Sequence, residues 1–140
     1  MPTPAGDPHR RLPPCPRTPN CVSSEAMHPY QRMEPIPFSG EPAFAIARLA
    51  RIVEEMPGGR VKRRGELWLH AEFRTRWLRF VDDVDLVVDP DAGVVRFRSA
   101  SRLGRRDFGV NRRRMEELRR RFEAGDEGSA AAGGPARDAP

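Results

Sequence analysis

Residues 66–74 read Glu66-Leu67-Trp68-Leu69-His70-Ala71-Glu72-Phe73-Arg74. Apolar and polar side chains alternate through this stretch, and successive side chains of a strand point to opposite faces of a sheet. The pattern therefore predicts a strand with one apolar face and one polar face, the latter carrying Trp68 and His70. Antiparallel sheets with such strands are covered on the apolar face and meet water on the other.

Further strand patterns lie on either side of this stretch. A short pattern covers residues 61–63, even-numbered positions between 77 and 88 are mostly apolar, and residues 94–101 alternate again. Asp82 interrupts the second of these patterns, which indicates a bulge or a break in that strand. The order of the patterns predicts an antiparallel meander of three to four strands.

Two helices bracket the predicted meander. The first is capped by Ser39 or Glu41 and ends at the Pro-Gly-Gly sequence of residues 57–59. The second covers residues 111–123, with Asn111 as its cap and apolar side chains at helical spacing. We therefore predict a two-layer α+β fold in which an N-terminal and a C-terminal helix flank the meander on one face.

Composition divides the chain into four parts. Residues 1–14 are rich in proline and polar side chains, which predicts a disordered N-terminal tail. Residues 15–37 are predicted to form an extended arm, rich in Cys and Pro, that packs on the domain. The α+β domain covers residues 38–124, and the Gly/Ala/Pro-rich residues 125–140 predict a disordered C-terminal tail.

The chain is basic, with a net charge of +5, and 24 of its 25 basic residues are arginines. Arginine in place of lysine, with abundant Ala, Gly and Pro, is typical of GC-rich coding, so basicity alone does not indicate nucleic acid. Neither a helix-turn-helix pattern nor an aromatic-rich RNA-binding motif accompanies it. No apolar run reaches the length of a transmembrane helix, and residues 1–14 show no secretory signal. The sequence as written therefore predicts a cytoplasmic protein.

Residues 99–114 combine a glycine-punctuated loop with a helix that opens on three arginines, Arg112 to Arg114. A helix N-terminus carries partial positive charge, so each cation there costs about 0.3–1 kcal/mol unless an anion offsets it. An external anion held by the loop is one explanation, and an internal carboxylate is the other. The candidate anion-binding residues are Ser99, Ser101, Arg102, Asn111 and Arg112, and the candidate internal counter-charges are Asp82, Asp83 and Asp107.

Cys15 and Cys21 enclose a short proline-stiffened loop. In an oxidising compartment they would form a disulfide, and in a reducing one they would stay free thiols. A metal site that includes His9 and His28 is a third alternative, although the spacing matches no common zinc pattern.

Two segments of the chain resemble one known family. The first reads Cys15-Pro16-Arg17-Thr18-Pro19-Asn20-Cys21-Val22-Ser23-Ser24. The second contains Phe80-Val81-Asp82-Asp83-Val84 and Ser99-Ala100-Ser101-Arg102-Leu103-Gly104, followed by Asp107, Gly109, Val110, Asn111 and Arg112. Together they resemble domain-of-unknown-function family 1499 of bacterial and plastid proteins, over roughly residues 15–122. The resemblance implies no particular reaction, but it implies a periplasmic or membrane-associated location as an alternative to the cytoplasm.

We interpret the chain as a small non-enzymatic binding or scaffold module whose loop and helix start at 99–114 accept an anionic ligand or an acidic partner protein. We predict no catalytic residue, no metal site and no cofactor. One alternative is a hydrolase-like enzyme that uses His70 and acidic strand residues, which predicts a cleft beside His70 on the polar sheet face. The other is a peripheral binder of an anionic membrane or of nucleic acid.

Overall fold

The computed structural model describes residues 10–75, 80–104 and 109–130, with side chains up to residue 125. Two helices and one six-stranded sheet make up this part of the chain, so the fold is α+β. Its elements are β1 (Cys21–Ser23), β2 (Ile36–Pro37), α1 (Pro42–Glu55), β3 (Gly59–Arg64), β4 (Trp68–Arg74), β5 (Val81–Asp89), β6 (Val94–Ser101) and α2 (Val110–Ala130).

The sheet is antiparallel and runs in the order β1-β6-β5-β4-β3, while β2 pairs with β6 beside β1. Strands β3 to β6 form the predicted meander, each paired with the next along the chain. The predicted count of three to four strands is wrong, because β1 and β2 add to the free edge of β6. These two strands are three and two residues long, too short to show an alternating pattern.

The hydrophobic core lies between the sheet and the helices. The apolar face of β4 faces this core, as the alternation in residues 66–74 predicts. Side chains of both helices belong to the same core cluster as those of the sheet. Its fully buried members include Leu49 and Val53 of α1, Leu69, Val84, Leu86 and Phe97 of the sheet, and Met115, Leu118 and Phe122 of α2.

Asp82 does not interrupt β5. The strand pairs without a shift on both sides, with Phe73 of β4 and Ser101 of β6 opposite Asp82. The predicted bulge or break is therefore wrong, because the Asp82 side chain is buried on the helix side and is paired there with Arg114. The register shift of the sheet lies in β3 instead, between Val61 and Arg63.

Helix α2 begins one residue earlier than the sequence predicts. The carbonyl of Gly109 accepts the N–H of Arg113 at 3.0 Å, so the helical bonding starts before Asn111. Asn111 consequently lies inside the first turn rather than at the cap. At its other end α2 continues to Ala130, beyond residue 124, where the sequence places the end of the domain. In the described ranges, neither helix combines the length and the apolar character needed to span a membrane.

Gly58 and Gly93 offer a matched test of the turn between α1 and β3. Both have positive φ, at 79° and 70°, but a Cβ on Gly58 would lie 2.3 Å from the carbonyl oxygen of Arg74, whereas Gly93 has open space. Gly93→Ala should lose about 1–2 kcal/mol of unfolding free energy for the backbone conformation alone. Gly58→Ala should lose clearly more, because the clash adds to that cost. Urea unfolding of both variants checks this, and equal losses would contradict it.

Candidate functional site

Four polar side chains form a buried cluster where α2 crosses β5 and β6; we call Asp82, Ser99, Asn111 and Arg114 the helix-start cluster. Arg114 donates from Nη2 to Asp82 Oδ2 at 2.6 Å and from Nη1 to Asn111 Oδ1 at 2.7 Å. The side chains of Arg114 and Asp82 are only 8% and 3% exposed. One of the three arginines that open α2 therefore has an internal counter-charge. Asp107, another candidate for that role, lies outside the described residues.

Ser99 and Asn111 connect α2 to the sheet. The Ser99 hydroxyl donates to Asn111 Oδ1 at 2.6 Å, and Asn111 Nδ2 donates to the Ser101 hydroxyl at 2.9 Å. The same Nδ2 lies 3.3 Å from the carbonyl oxygen of Asn20, the residue before β1. Because Ser99 and Asn111 are fully buried, an external anion cannot reach them without an opening of the structure.

The two candidate arginines lie outside this cluster. Arg102 donates to both oxygens of Asp83, at 2.8 and 2.9 Å, and to Glu72 Oε2 at 2.8 Å. Arg112 donates from Nη2 to the carbonyl oxygen of Tyr30 at 2.7 Å. The structure thus places the five candidate anion-binding residues in three different surroundings, and it brings Arg112 to the arm.

A pocket of about 1230 Å³ lies between the arm and the start of α2, and we call it the arm pocket. Most residues that line it lie between Leu12 and Gln31, in the arm and in the three residues before it, and Gly109 and Arg112 complete the wall. Its lining includes the apolar residues Leu12, Val22, Ala26, Met27 and Tyr30 and the ionisable residues Arg17, Glu25, His28 and Arg112.

A disulfide between Cys15 and Cys21 ties the arm to the sheet edge. Of the three alternatives that the cysteine spacing leaves open, the structure contains this one. Gln31 closes the same loop, because its Nε2 donates to the carbonyl oxygens of Pro16 and Thr18 at 2.6 and 2.8 Å. The arm is therefore a fixed wall of the pocket rather than a loose strand beside it.

The polar face of the sheet carries a second cluster of charged groups, the His70 cluster, made of His70, Glu72, Asp83 and Asp85. Strand register places Asp85 opposite His70 and Asp83 opposite Glu72. His70 Nδ1 lies 2.7 Å from Asp85 Oδ1, and Nε2 lies 3.3 Å from Asp83 Oδ1. The hydrogen bond to Asp85 and the charges of both aspartates raise the pKa of His70, against burial and Arg63, which lower it.

A smaller pocket, of about 340 Å³, lies beside His70. Residues 10–13 form one wall of it; Leu12 is buried, and the Arg10 guanidinium lies 3.8 Å from the ring centroid of Trp68. The enzymatic alternative predicts a cleft at this place. Among the described residues that line it, however, there is no Ser, Thr, Cys, Tyr or Lys that could act as a nucleophile.

The sequence patterns did not single out Arg114 or the arm pocket. A signal for Arg114 was present, because a buried aspartate on the apolar face of a strand must be paired with a charge or a hydrogen-bond donor, and three arginines open α2. The arm pocket had no comparable signal, since its walls come from residues far apart in the sequence that show no periodic pattern.

Fold and site define a small α+β domain with a disulfide-tied arm. The family model "Protein of unknown function (DUF1499)" matches residues 11–122, so the chain belongs to this family, as its two motif segments predict. No curated protein and no solved structure matches the chain.

Asp82→Asn should lower the free energy of unfolding by about 3–5 kcal/mol, because it leaves the Arg114 charge buried without a counter-charge. Urea unfolding measures this loss. Arg114→Met in the same background should restore part of the stability, which a double-mutant cycle would report as coupling. Glu66→Gln, at an exposed position, is the control and should change stability by less than about 0.5 kcal/mol. A loss for Asp82→Asn as small as that of the control would contradict the prediction.

The raised pKa of His70 makes stability depend on pH. The folded protein holds a proton on His70 at pH values where the unfolded chain, with a pKa near 6.5, has released it. The stabilisation is therefore complete below that pH and is lost as the pH rises through the pKa of the folded state. Urea unfolding between about pH 5 and 8 should show the decline. His70→Gln should abolish this decline, whereas the control His28→Gln, at an exposed position, should retain it. A decline of stability with pH that persists in His70→Gln would contradict its assignment to His70.

Proposed function

We propose that this protein is a non-enzymatic binding module that takes an anionic amphipathic ligand, an acid group on an apolar body, in the arm pocket. The observation that carries the proposal is the position of Arg112: a cation at the start of α2 lies in the wall of a large pocket whose other lining is mainly apolar. Ligand sites in proteins typically combine an apolar lining with a few polar groups that orient the ligand.

Exposed apolar side chains support the apolar half of this ligand. Met27 and Tyr30 line the pocket and are 93% and 66% exposed. A ligand that covers such side chains stabilises the complex by roughly 25 cal/mol per Å² of apolar surface removed from water. The His28 ring lies 4.3 Å from that of Tyr30, which extends the flat surface available to an apolar body.

The charges around the pocket support the anionic half. Arg17 and Arg112 bring two cations to the lining. The negative charge of Glu25 is already compensated, because its Oε2 accepts a hydrogen bond from Arg96 at 2.6 Å. Arg112 uses Nη2 for the carbonyl oxygens of Tyr30 and Arg32, and a guanidinium has five N–H donors, so it can hold an acid group at the same time.

The cleft beside His70 favours the enzymatic alternative as a second candidate. His70 and Asp85 form a hydrogen-bonded pair there, as in sites where a carboxylate orients a histidine base. We rank this candidate below the binding module because the described lining of that cleft supplies no hydroxyl, thiol or amine nucleophile.

The proposal is tested with 8-anilinonaphthalene-1-sulfonate, a fluorescent probe that carries an acid group on an aromatic body. Arg112→Gln should weaken probe binding about tenfold, the loss expected for one hydrogen bond to a charged group. Tyr30→Ser should weaken it as well, because it removes apolar contact area. Decanoate should displace the probe at lower concentration than decanol, which has the same chain length without the charge.

Two control variants match these changes outside the pocket. Arg113→Gln removes the neighbouring arginine, and Phe44→Ser removes a side chain as exposed as Tyr30, and neither residue lines the pocket. Both should bind the probe as the unmodified protein does. If the controls weaken binding as much as Arg112→Gln and Tyr30→Ser, or if decanol competes as well as decanoate, the proposed site is wrong.

A further inference from the structure

We propose that His70, Glu72 and Asp83 bind a divalent metal ion of the zinc class, in competition with Arg102, which donates hydrogen bonds to both carboxylates. One ligand atom from each of the three residues lies within 4.8 Å of the others. Imidazole nitrogen and carboxylate oxygen are both zinc ligands, at about 2.0–2.2 Å. Small side-chain rotations therefore allow one ion to contact all three. This site is separate from the arm pocket.

The register of the sheet creates a need for a cation at this place. Glu72 and Asp83 lie directly opposite each other on neighbouring strands, and like charges in that position repel. Arg102 offsets the repulsion by donating to both carboxylates. A metal ion would fill the same electrostatic role and would in addition bind the lone pair of the His70 imidazole as a ligand.

Asp85 orients His70 for such a role. A carboxylate only accepts hydrogen bonds, so the 2.7 Å contact requires a hydrogen on Nδ1 of His70. In the neutral ring the lone pair is then on Nε2, and Nε2 is the nitrogen that faces Asp83. A carboxylate behind the second ring nitrogen is the arrangement that holds metal-binding histidines in position.

Arg102 can be displaced by an ion without leaving its own charge buried and unpaired. Its side chain is 47% exposed, so the guanidinium needs only a short movement into water. Since it contacts both oxygens of Asp83, the ion and Arg102 compete for the same carboxylate. The pocket beside His70, of about 340 Å³, is lined by His70 and Asp83 and provides a path from solvent to these two ligands.

The test uses the full chain with His9→Gln and His28→Gln, which leaves His70 as the last of its three histidines. Both cysteines are in the disulfide, so no thiolate competes. Calorimetric titration with Zn²⁺ should show one ion per chain, and His70→Gln should weaken binding at least about tenfold. Ca²⁺, which takes oxygen ligands, should bind at least about tenfold more weakly than Zn²⁺.

Arg102→Gln separates a metal site from a purely structural ion pair. It should tighten Zn²⁺ binding about tenfold, because it removes the competing cation. Arg74→Gln is the matched control, because Arg74 is exposed and lies 3.9 Å from Glu72 but forms no salt bridge with Asp83 among the described residues. This change should alter the Zn²⁺ affinity by less than about twofold. Circular dichroism verifies that each variant is folded, and Glu72→Gln replaces His70→Gln if the latter is not. Zn²⁺ binding that survives loss of the ligand residue, or that stays unchanged or weakens in Arg102→Gln, overturns the proposal.

Discussion

The ion pair between Asp82 and Arg114 is the contact on which the arrangement of the described elements depends. It joins β5, the central strand of the sheet order, to the fifth residue of α2, and both side chains are almost completely buried. Charges removed from water in this way must be paired with good geometry, because either one alone would be strongly destabilising. Asn111 and Ser99 complete the hydrogen bonding around the pair, which ties the start of α2 to β5 and β6.

The same ion pair also determines which surface of the protein Arg112 faces. With Arg114 directed inward, Arg112 lies on the side of α2 that faces the arm, where it donates to backbone carbonyls. The disulfide and Gln31 hold the other wall of the arm pocket. The pocket thus results from elements that are each fixed for structural reasons. This arrangement is preorganised, so a ligand would not have to order the arm on binding.

Much of the meander could be predicted because alternation is a local property. Residues 66–74 show which side chains of β4 face the core, and the structure agrees at Leu69, Ala71 and Phe73. The two short strands of the arm were missed, since each forms only by pairing with β6, more than fifty residues later in the chain. Asp82 was misread as a break because its partner comes from α2, thirty-two residues further on. The misplaced arginines of α2 make Asp82 a candidate counter-charge, but the period of the strand does not show which of them it pairs with.

The sequence by itself determined the α+β class, the family and the electrostatic conflict at the start of α2, because these follow from residue types, their spacing and two motif segments. Only the tertiary structure decided how that conflict is resolved. Three arginines in a row are equivalent in sequence, but the helix turns each by about 100° from the last, so they face different surroundings. Arg114 is buried against Asp82, and Arg112 borders the arm pocket. Strand pairing likewise decided that His70 lies between Asp83 and Asp85, because register across a sheet joins residues that sequence distance keeps apart.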